Sequence, residues 1–311
     1  MNKFKGFLFG MTASSTFGLL PLFTLPIMSE GLTTNSILCY RMLFASVLVA
    51  VLMQVRKIAF RTNLRELLWF AFLGFFYYGS ASLLFQAYGT MSSGMATTLH
   101  FLYPVGVTLI MALVFKQRPS PFTILAIILG LSGVALLSLK EGGGSSSASL
   151  VGILLVLLSG LSYAAYLVTM NNVRRVRESN NLKLTLYVLI FSALFFLLDT
   201  SLSGGLQMIP SGRALTNLLL LAFLPTLVSN LALVRAVKSI GSTLTSVLGA
   251  MEPLTAIVIG VVVFGEEVTG PMALGILLIL LSVTIIVLSP LLDKNIADRL
   301  RRLSKRSIRR Q

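Results

Sequence analysis

Residues 241–267 read GSTLTSVLGAMEPLTAIVIGVVVFGEE, and the fold of the whole chain turns on this stretch. It is apolar over a helix-length run, yet Glu252 stands inside it, followed at once by Pro253, and it closes on Gly265-Glu266-Glu267. A charge near the middle of a bilayer-length helix costs roughly 2.5–3.5 kcal/mol on insertion scales, so it faces a cavity or a partner rather than lipid. The proline removes a backbone donor and loosens the helix beside that carboxylate.

The rest of the chain has the same character. Its 311 residues are 56% hydrophobic and only 11% charged, against roughly 25% charged in soluble domains. The mean hydropathy is +0.91. An all-α membrane protein with a lipid bilayer as its solvent is the class this composition predicts. The single cysteine, Cys39, rules out an intramolecular disulfide, and the single histidine, His100, rules out a multi-histidine metal site. No cofactor and no metal are expected.

Apolar runs of about 18 residues or more predict membrane-spanning helices. About ten occur, at 4–27, 35–55, 66–90, 94–116, 121–140, 150–171, 182–202, 214–236, 241–264 and 270–290. The first lacks a small-residue cleavage site and reads as a retained helix. With the N-terminus in the cytoplasm, 22 lysines and arginines fall at cytoplasmic ends, loops and tail, and only Lys140 and Arg213 fall outside. That asymmetry places both termini in the cytoplasm. It also makes the net charge of +15 an insertion signal rather than a nucleic-acid surface. In the tail, Ile296, Leu300 and Leu303 keep helical spacing among basic residues, which suits an anionic leaflet as well as it suits a solvated tail.

The clearest linker is Gly142-Gly143-Gly144-Ser145-Ser146-Ser147, close to the middle of the chain. A shift of 149 residues brings Tyr103-Pro104 onto Glu252-Pro253, Phe115 onto Phe264 and Val134 onto Val283. Near the start, a shift of 146 brings Gly6 onto Gly152 and Phe17-Gly18 onto Tyr163-Ala164. Residues 1–140 and 150–290 therefore read as two five-helix repeats, joined by a linker at 141–149 and followed by a basic tail at 291–311. An odd number of spans inverts the second copy in the membrane. Such repeats place a ligand site at their interface, near the bilayer midplane.

The polar residues inside the spans are few. Glu252 either binds a cationic group or takes up a proton, since a carboxylate out of water resists being charged. The alternative is that it pairs with Arg41 or with backbone donors and merely holds helices together. Arg41 offers a two-pronged donor to a carboxylate, or it snorkels to the nearby outer interface. His100 and Tyr103 lie three apart on one helix face. Tyr163, Tyr78, Gln86 and Asn230 complete the predicted substrate-binding set. Pro104 and Pro253 are the predicted helix breaks, each directly after a polar residue. There is no GxxxxGK[ST] and no HExxH motif. A serine–histidine protease would need His100 to meet a serine such as Ser159, which nothing in the spacing favours.

At this point the sequence resembles the EamA type of the drug/metabolite transporter superfamily. The resemblance rests on Ala236 and Gly241 through Glu252-Pro253 to Gly265-Glu266, on Tyr40-Arg41-Met42, and on Phe17-Gly18 and Tyr163-Ala164 standing where relatives often carry tryptophan and a small residue. It covers residues 1–290. Lys116-Gln117 departs from the pattern by replacing a Gly-Glu pair. The resemblance implies a non-enzymatic secondary transporter of the inner membrane, exporting an amino acid or related amphipathic metabolite by alternating access. Protons acting through Glu252 are the expected coupling ion. An uncoupled uniporter or exchanger, a lipid-headgroup flippase and a non-transporting scaffold are the alternatives. The sequence leaves the oligomeric state open.

Overall fold

The structure is a computed structural model that describes residues 3–88, 90, 96, 99–138, 150–264, 270–271, 273–286 and 288. The predicted linker, the basic tail and Gly265-Glu266-Glu267 lie outside the described residues. The elements are α1 (Lys3–Phe17), α2 (Leu20–Ser29), α3 (Thr34–Val55), α4 (Leu64–Tyr88), α5 (Tyr103–Leu113), α6 (Pro121–Ser138) and α7 (Leu150–Asn172). There follow α8 (Arg174–Glu178), α9 (Asn181–Leu202), α10 (Gly212–Leu221), a π-helical turn (Ala222–Val228), α11 (Ser229–Ile240), α12 (Ser242–Leu248) and α13 (Met251–Phe264). The last is α14 (Ala273–Ile286).

Among the described residues, six helical stretches are long and apolar enough to cross a bilayer: 3–29, 34–55, 64–87, 150–172, 181–202 and 212–240. Three shorter apolar helices are α5, α6 and α14. Val47, Val51, Leu68, Leu154, Leu198 and Val262 are exposed around the outside. Apolar side chains left on the perimeter of a helical bundle are the lipid face.

Among the described residues, four predicted runs are not single α-helices. Residues 4–27 break at Gly18-Leu19, between α1 and α2, and α2 carries a proline in its first turn. Residues 94–116 turn at Phe101-Leu102, just before Pro104 and the start of α5. Residues 214–236 pass through a π turn containing Pro225. Residues 241–264 divide into α12 and α13 at Gly249-Ala250. In each case a glycine or proline interrupts the α-helical ladder.

Packing pairs run across the chain: α1 against α11, α4 against α7, α3 against α9, and α6 against α14. Serines stitch these pairs. Ser229 donates to the carbonyl of Ala13 at 2.8 Å, and Ser159 to that of Ser80 at 2.5 Å. Under the two sequence shifts, Ala13 falls on Ser159 and Ser80 on Ser229, so the same pair of positions meets twice, with the donating residue exchanged. The α6–α14 contact behaves alike. Ser282 donates to Ala126 O at 2.6 Å, and a Cβ on Gly133 would stand 2.8 Å from Gly275 O. Small residues let the backbones approach this closely, and the serine hydroxyls find partners where lipid offers none.

A separate apolar cluster sits at the far end of the first crossing. Phe23, Ile27, Leu32 and Ile37 pack there against Ala214, Leu218 and Leu221. Gln207 ties the same end, accepting from Thr33 N at 2.5 Å and, through its backbone carbonyl, from the Tyr40 hydroxyl at 2.7 Å.

Candidate functional site

The broken segments converge. Gly18, at the α1–α2 break, lies so close to Glu252 that an added Cβ would strike the Glu252 carbonyl. Gly249, at the α12–α13 break, is equally close to the Tyr103 hydroxyl. Only residues without a Cβ permit either approach. At the second break the helical ladder tightens to i→i−3 bonds, Gly249 N to Ser246 O at 3.1 Å and Ala250 N to Val247 O at 3.1 Å. The Tyr103 hydroxyl donates to the same Ser246 carbonyl at 3.1 Å. A tyrosine from one half of the chain thus satisfies the interrupted backbone of the other. Pro104 and Pro253 both sit in the first turn of the helix that follows a break, where a missing N–H costs nothing.

Between these breaks is a cavity lined by Ala13, Ser14 and Phe17 of α1, Tyr77 of α4, Tyr103 of α5, and Tyr163 and Leu167 of α7. Ser229, Asn230 and Leu233 of α11, Thr245 of α12 and Glu252 of α13 close it. Its volume is about 20 Å³, room for about one water molecule. The aromatic wall is continuous: Tyr103 meets Tyr163 edge-on at 4.8 Å, and Tyr166 stands 5.9 Å from Tyr163 and 5.4 Å from Tyr77.

The Glu252 carboxylate forms no hydrogen bond or ion pair with any described residue; the ion pair present among them is Arg174–Glu178, on the surface. The expected alternative of a direct Arg41–Glu252 pair is therefore not what the structure contains. Arg41 is 3% exposed, so it does not snorkel to the interface. It stacks over the Phe17 ring at 5.1 Å, donates from Nε to Thr226 Oγ1 at 2.6 Å, and leaves one terminal guanidinium nitrogen buried without a partner. Glu252, Tyr77 and Tyr163 are all within its electrostatic reach.

The π turn explains how Arg41 is held. Pro225 has no N–H to give the Leu221 carbonyl. The Thr226 hydroxyl donates to that carbonyl instead, at 2.8 Å, while accepting from Arg41. Asn230, one helical turn on, donates to Thr226 O at 2.8 Å and to the Tyr77 hydroxyl at 3.2 Å.

Of the predicted set, Glu252, Tyr103, Tyr163 and Asn230 line this one cavity, and Arg41 reaches its Phe17 wall. His100 lies behind the wall, 5.8 Å from the Tyr103 ring and 6.1 Å from that of Tyr163. It does meet Ser159, with Oγ 3.0 Å from Nδ1. Ser159 spends its one hydroxyl proton on the Ser80 carbonyl, so the imidazole is the donor and is no base for that serine. Tyr78 and Gln86 are not at the cavity. Tyr78 packs on Phe195 and Phe196, and Gln86 is exposed and bonds Ser82 at 3.1 Å. One residue of helix rotation separates Tyr78 from the cavity-lining Tyr77, an intramembrane tyrosine outside the predicted set. Thr226 and Ser229 were outside it too; the signal for Thr226 was its place directly after Pro225.

The profile of the EamA-like transporter family matches residues 4–139 and again 150–288. The chain belongs to the EamA-like transporter family. An uncharacterized transporter of Synechocystis sp. (strain ATCC 27184 / PCC 6803 / Kazusa) is 26% identical over 239 residues, 74% of this chain and 71% of that one. A solved crystal structure titled only as that of a protein superposes with a TM-score of 0.79 at 20% identity, over 94% of this chain and 98% of the other. At that identity the likeness concerns the fold. This EamA-family chain is thus a multi-pass membrane transporter with a small molecule as cargo. Each matched segment supplies part of the cavity wall, Tyr77 and Tyr103 from the first and Tyr163, Asn230 and Glu252 from the second.

Proposed function

We propose that this protein is a secondary transporter that exports a small amphipathic metabolite bearing both a carboxylate and a cationic group, such as an amino acid. The observation that carries the reading is one cavity at the junction of the two segments. It has an unpaired carboxylate, Glu252, on its wall and a guanidinium with a spare donor nitrogen behind Phe17. Two opposite charges, Arg41 buried and Glu252 half-buried, neither neutralising the other by contact, are stabilised by a ligand that pairs with each. The tyrosines supply an apolar wall with hydroxyl donors for orientation.

In this reading the two segments are inverted repeats of five crossings, with both termini cytoplasmic in the inner membrane. The recurring contacts Ala13–Ser229 and Ser80–Ser159, and Ala126–Ser282 and Gly133–Gly275, support a two-fold relation between the halves. The cavity is too small for an amino acid, so the protein opens by moving one repeat against the other, hinging at its broken helices. Protonation of Glu252 supplies the coupling.

The test is flux in proteoliposomes against a panel of amino acids and amphipathic amines and acids, with and without a pH gradient. Arg41→Gln and Glu252→Gln should each abolish saturable flux of the zwitterion or raise its half-saturation at least about tenfold, equivalent to ~1.4 kcal/mol of binding. In any residual Glu252→Gln transport, the dependence on the pH gradient should vanish. Unchanged gradient-dependent flux in Glu252→Gln would sink the coupling role.

A further inference from the structure

A second cavity, of about 200 Å³, opens on the side of the N-terminus and is unlike the first. It lies between the end of α5, the 114–120 loop and the start of α6 on one side, and the α7 end with the α11–α12 junction on the other. Its described lining carries one charged group, the Arg118 guanidinium, and no carboxylate. Gln117 and Asn171 add amide donors. The positive end of α6 begins there at Ser120, whose hydroxyl accepts from Thr123 N at 3.2 Å. The decisive residue is Ser242. It is 1% exposed, lines the cavity, and its hydroxyl has no hydrogen-bond partner among the described residues. A buried hydroxyl without a partner is rare and marks a place where something else completes the bond.

The location connects this cavity to the first. Ser242 and Thr245 lie three residues apart, on one face of α12. Ser242 lines the larger cavity and Thr245 the central one. The junction before them holds its shape through Gly241, whose φ is +88°, with Asn171 Nδ2 3.9 Å from where a Cβ would stand.

We propose that the Ser242 cavity is a second ligand site, which takes the carboxylate of a small organic anion one helical turn short of the central cavity. Arg118 and the start of α6 attract the anion, the Ser242 hydroxyl donates to it, and the Asn171 amide orients it. Its role as a staging point on the transport path rests on the proposed transport reading; its anion selectivity does not.

The experiment reads binding without a gradient, so a flux assay that lacks the right cargo leaves its outcome standing. In a Cys39→Ala background, in phosphatidylcholine nanodiscs, Ser242→Cys is treated with an anionic sulfonatoethyl and a cationic trimethylammonioethyl methanethiosulfonate. Thr243→Cys, on the same lining, serves as a second position should Ser242→Cys fold poorly. Adding Arg118→Gln should lower the anionic-to-cationic rate ratio by about 25-fold, a roughly fivefold fall for the anionic reagent and a roughly fivefold gain for the cationic one, the effect of one unit charge at ~4 Å in water. Millimolar benzoate should slow labelling, and its neutral analogue benzyl alcohol should not. An unmoved ratio, equal protection by benzyl alcohol, or no labelling at either position overturns the proposal. Protection by phosphatidylglycerol that benzoate cannot reproduce overturns it in favour of a lipid headgroup.

Discussion

The chemistry of this protein rests on which buried groups have partners and which do not. Among the described residues, Arg41 is anchored by a side-chain hydrogen bond from Nε to Thr226, and one terminal nitrogen of its guanidinium is buried without a partner. Thr226→Val removes both the acceptor for Arg41 and the donor to Leu221 O. It should destabilise the protein by about 3 kcal/mol, whereas Thr226→Ser should stay within about 1 kcal/mol. Chemical unfolding in detergent measures both. Gly249→Ala pushes a methyl group into the Tyr103 hydroxyl and brings it 2.8 Å from the Ser246 carbonyl, a backbone atom that cannot turn away. The expected cost is about 1–3 kcal/mol. Gly212→Ala, where nothing lies within 4 Å, should change stability by less than about 0.5 kcal/mol in the same assay.

Single elements are shaped by a few residues that break local rules. Pro225 widens one turn of the 212–240 crossing into a π helix, and that widening presents Thr226 to Arg41. Pro225→Ala returns an N–H to the Leu221 carbonyl and lets the turn close to α geometry, withdrawing Thr226. We expect stability within about 1 kcal/mol of the parent, but transport lowered about tenfold, equivalent to ~1.4 kcal/mol of lost ligand binding. Two helix ends close on lysines with positive φ, Lys57 at 53° and Lys116 at 54°. After α3 the closure is of Schellman type, with Ile58 N on Met53 O at 2.9 Å and Lys57 N on Gln54 O at 3.0 Å. An L-residue in this region costs about 1–2 kcal/mol, which glycine avoids at some loss of chain entropy. Lys57→Gly should raise stability by about 0.5–1 kcal/mol, and Lys57→Ala should not, as thermal unfolding will show.

At the scale of the molecule, the two ends of the central cavity differ. On the far side, the Phe23–Ile37 and Ala214–Leu221 cluster and the Gln207 bonds hold the halves together. On the N-terminal side, the polar Ser242 cavity stands open between them. The asymmetry suits a state closed on the far side and accessible from the side of the N-terminus. It yields a topology prediction: in intact cells of a Cys39→Ala protein, a cysteine at Gln207 should react with an impermeant maleimide, and a cysteine at Thr62 only after the membrane is opened. The reverse pattern would invert the orientation read from the lysines and arginines.

The all-helical membrane class was written in the chain, because it follows from local properties. Long apolar runs leave helices as the way to satisfy the backbone in lipid, and a carboxylate inside such a run demands a cavity or a partner. Glu252, Tyr103 and Tyr163 could be matched by their offsets before any contact was known. What the sequence could not decide was rotation and depth. Tyr77 rather than Tyr78 lines the cavity because helix packing against α7 sets which face turns inward, and Gln86 falls outside for the same reason. Arg41 is a buried, anchored group rather than an interfacial one because Pro225, far away in sequence, opens a turn for Thr226. The breaks at Gly18 and Gly249 gain meaning only in three dimensions, where each glycine makes room for the other half of the chain. Those are contacts between residues more than a hundred positions apart, and no local pattern encodes them.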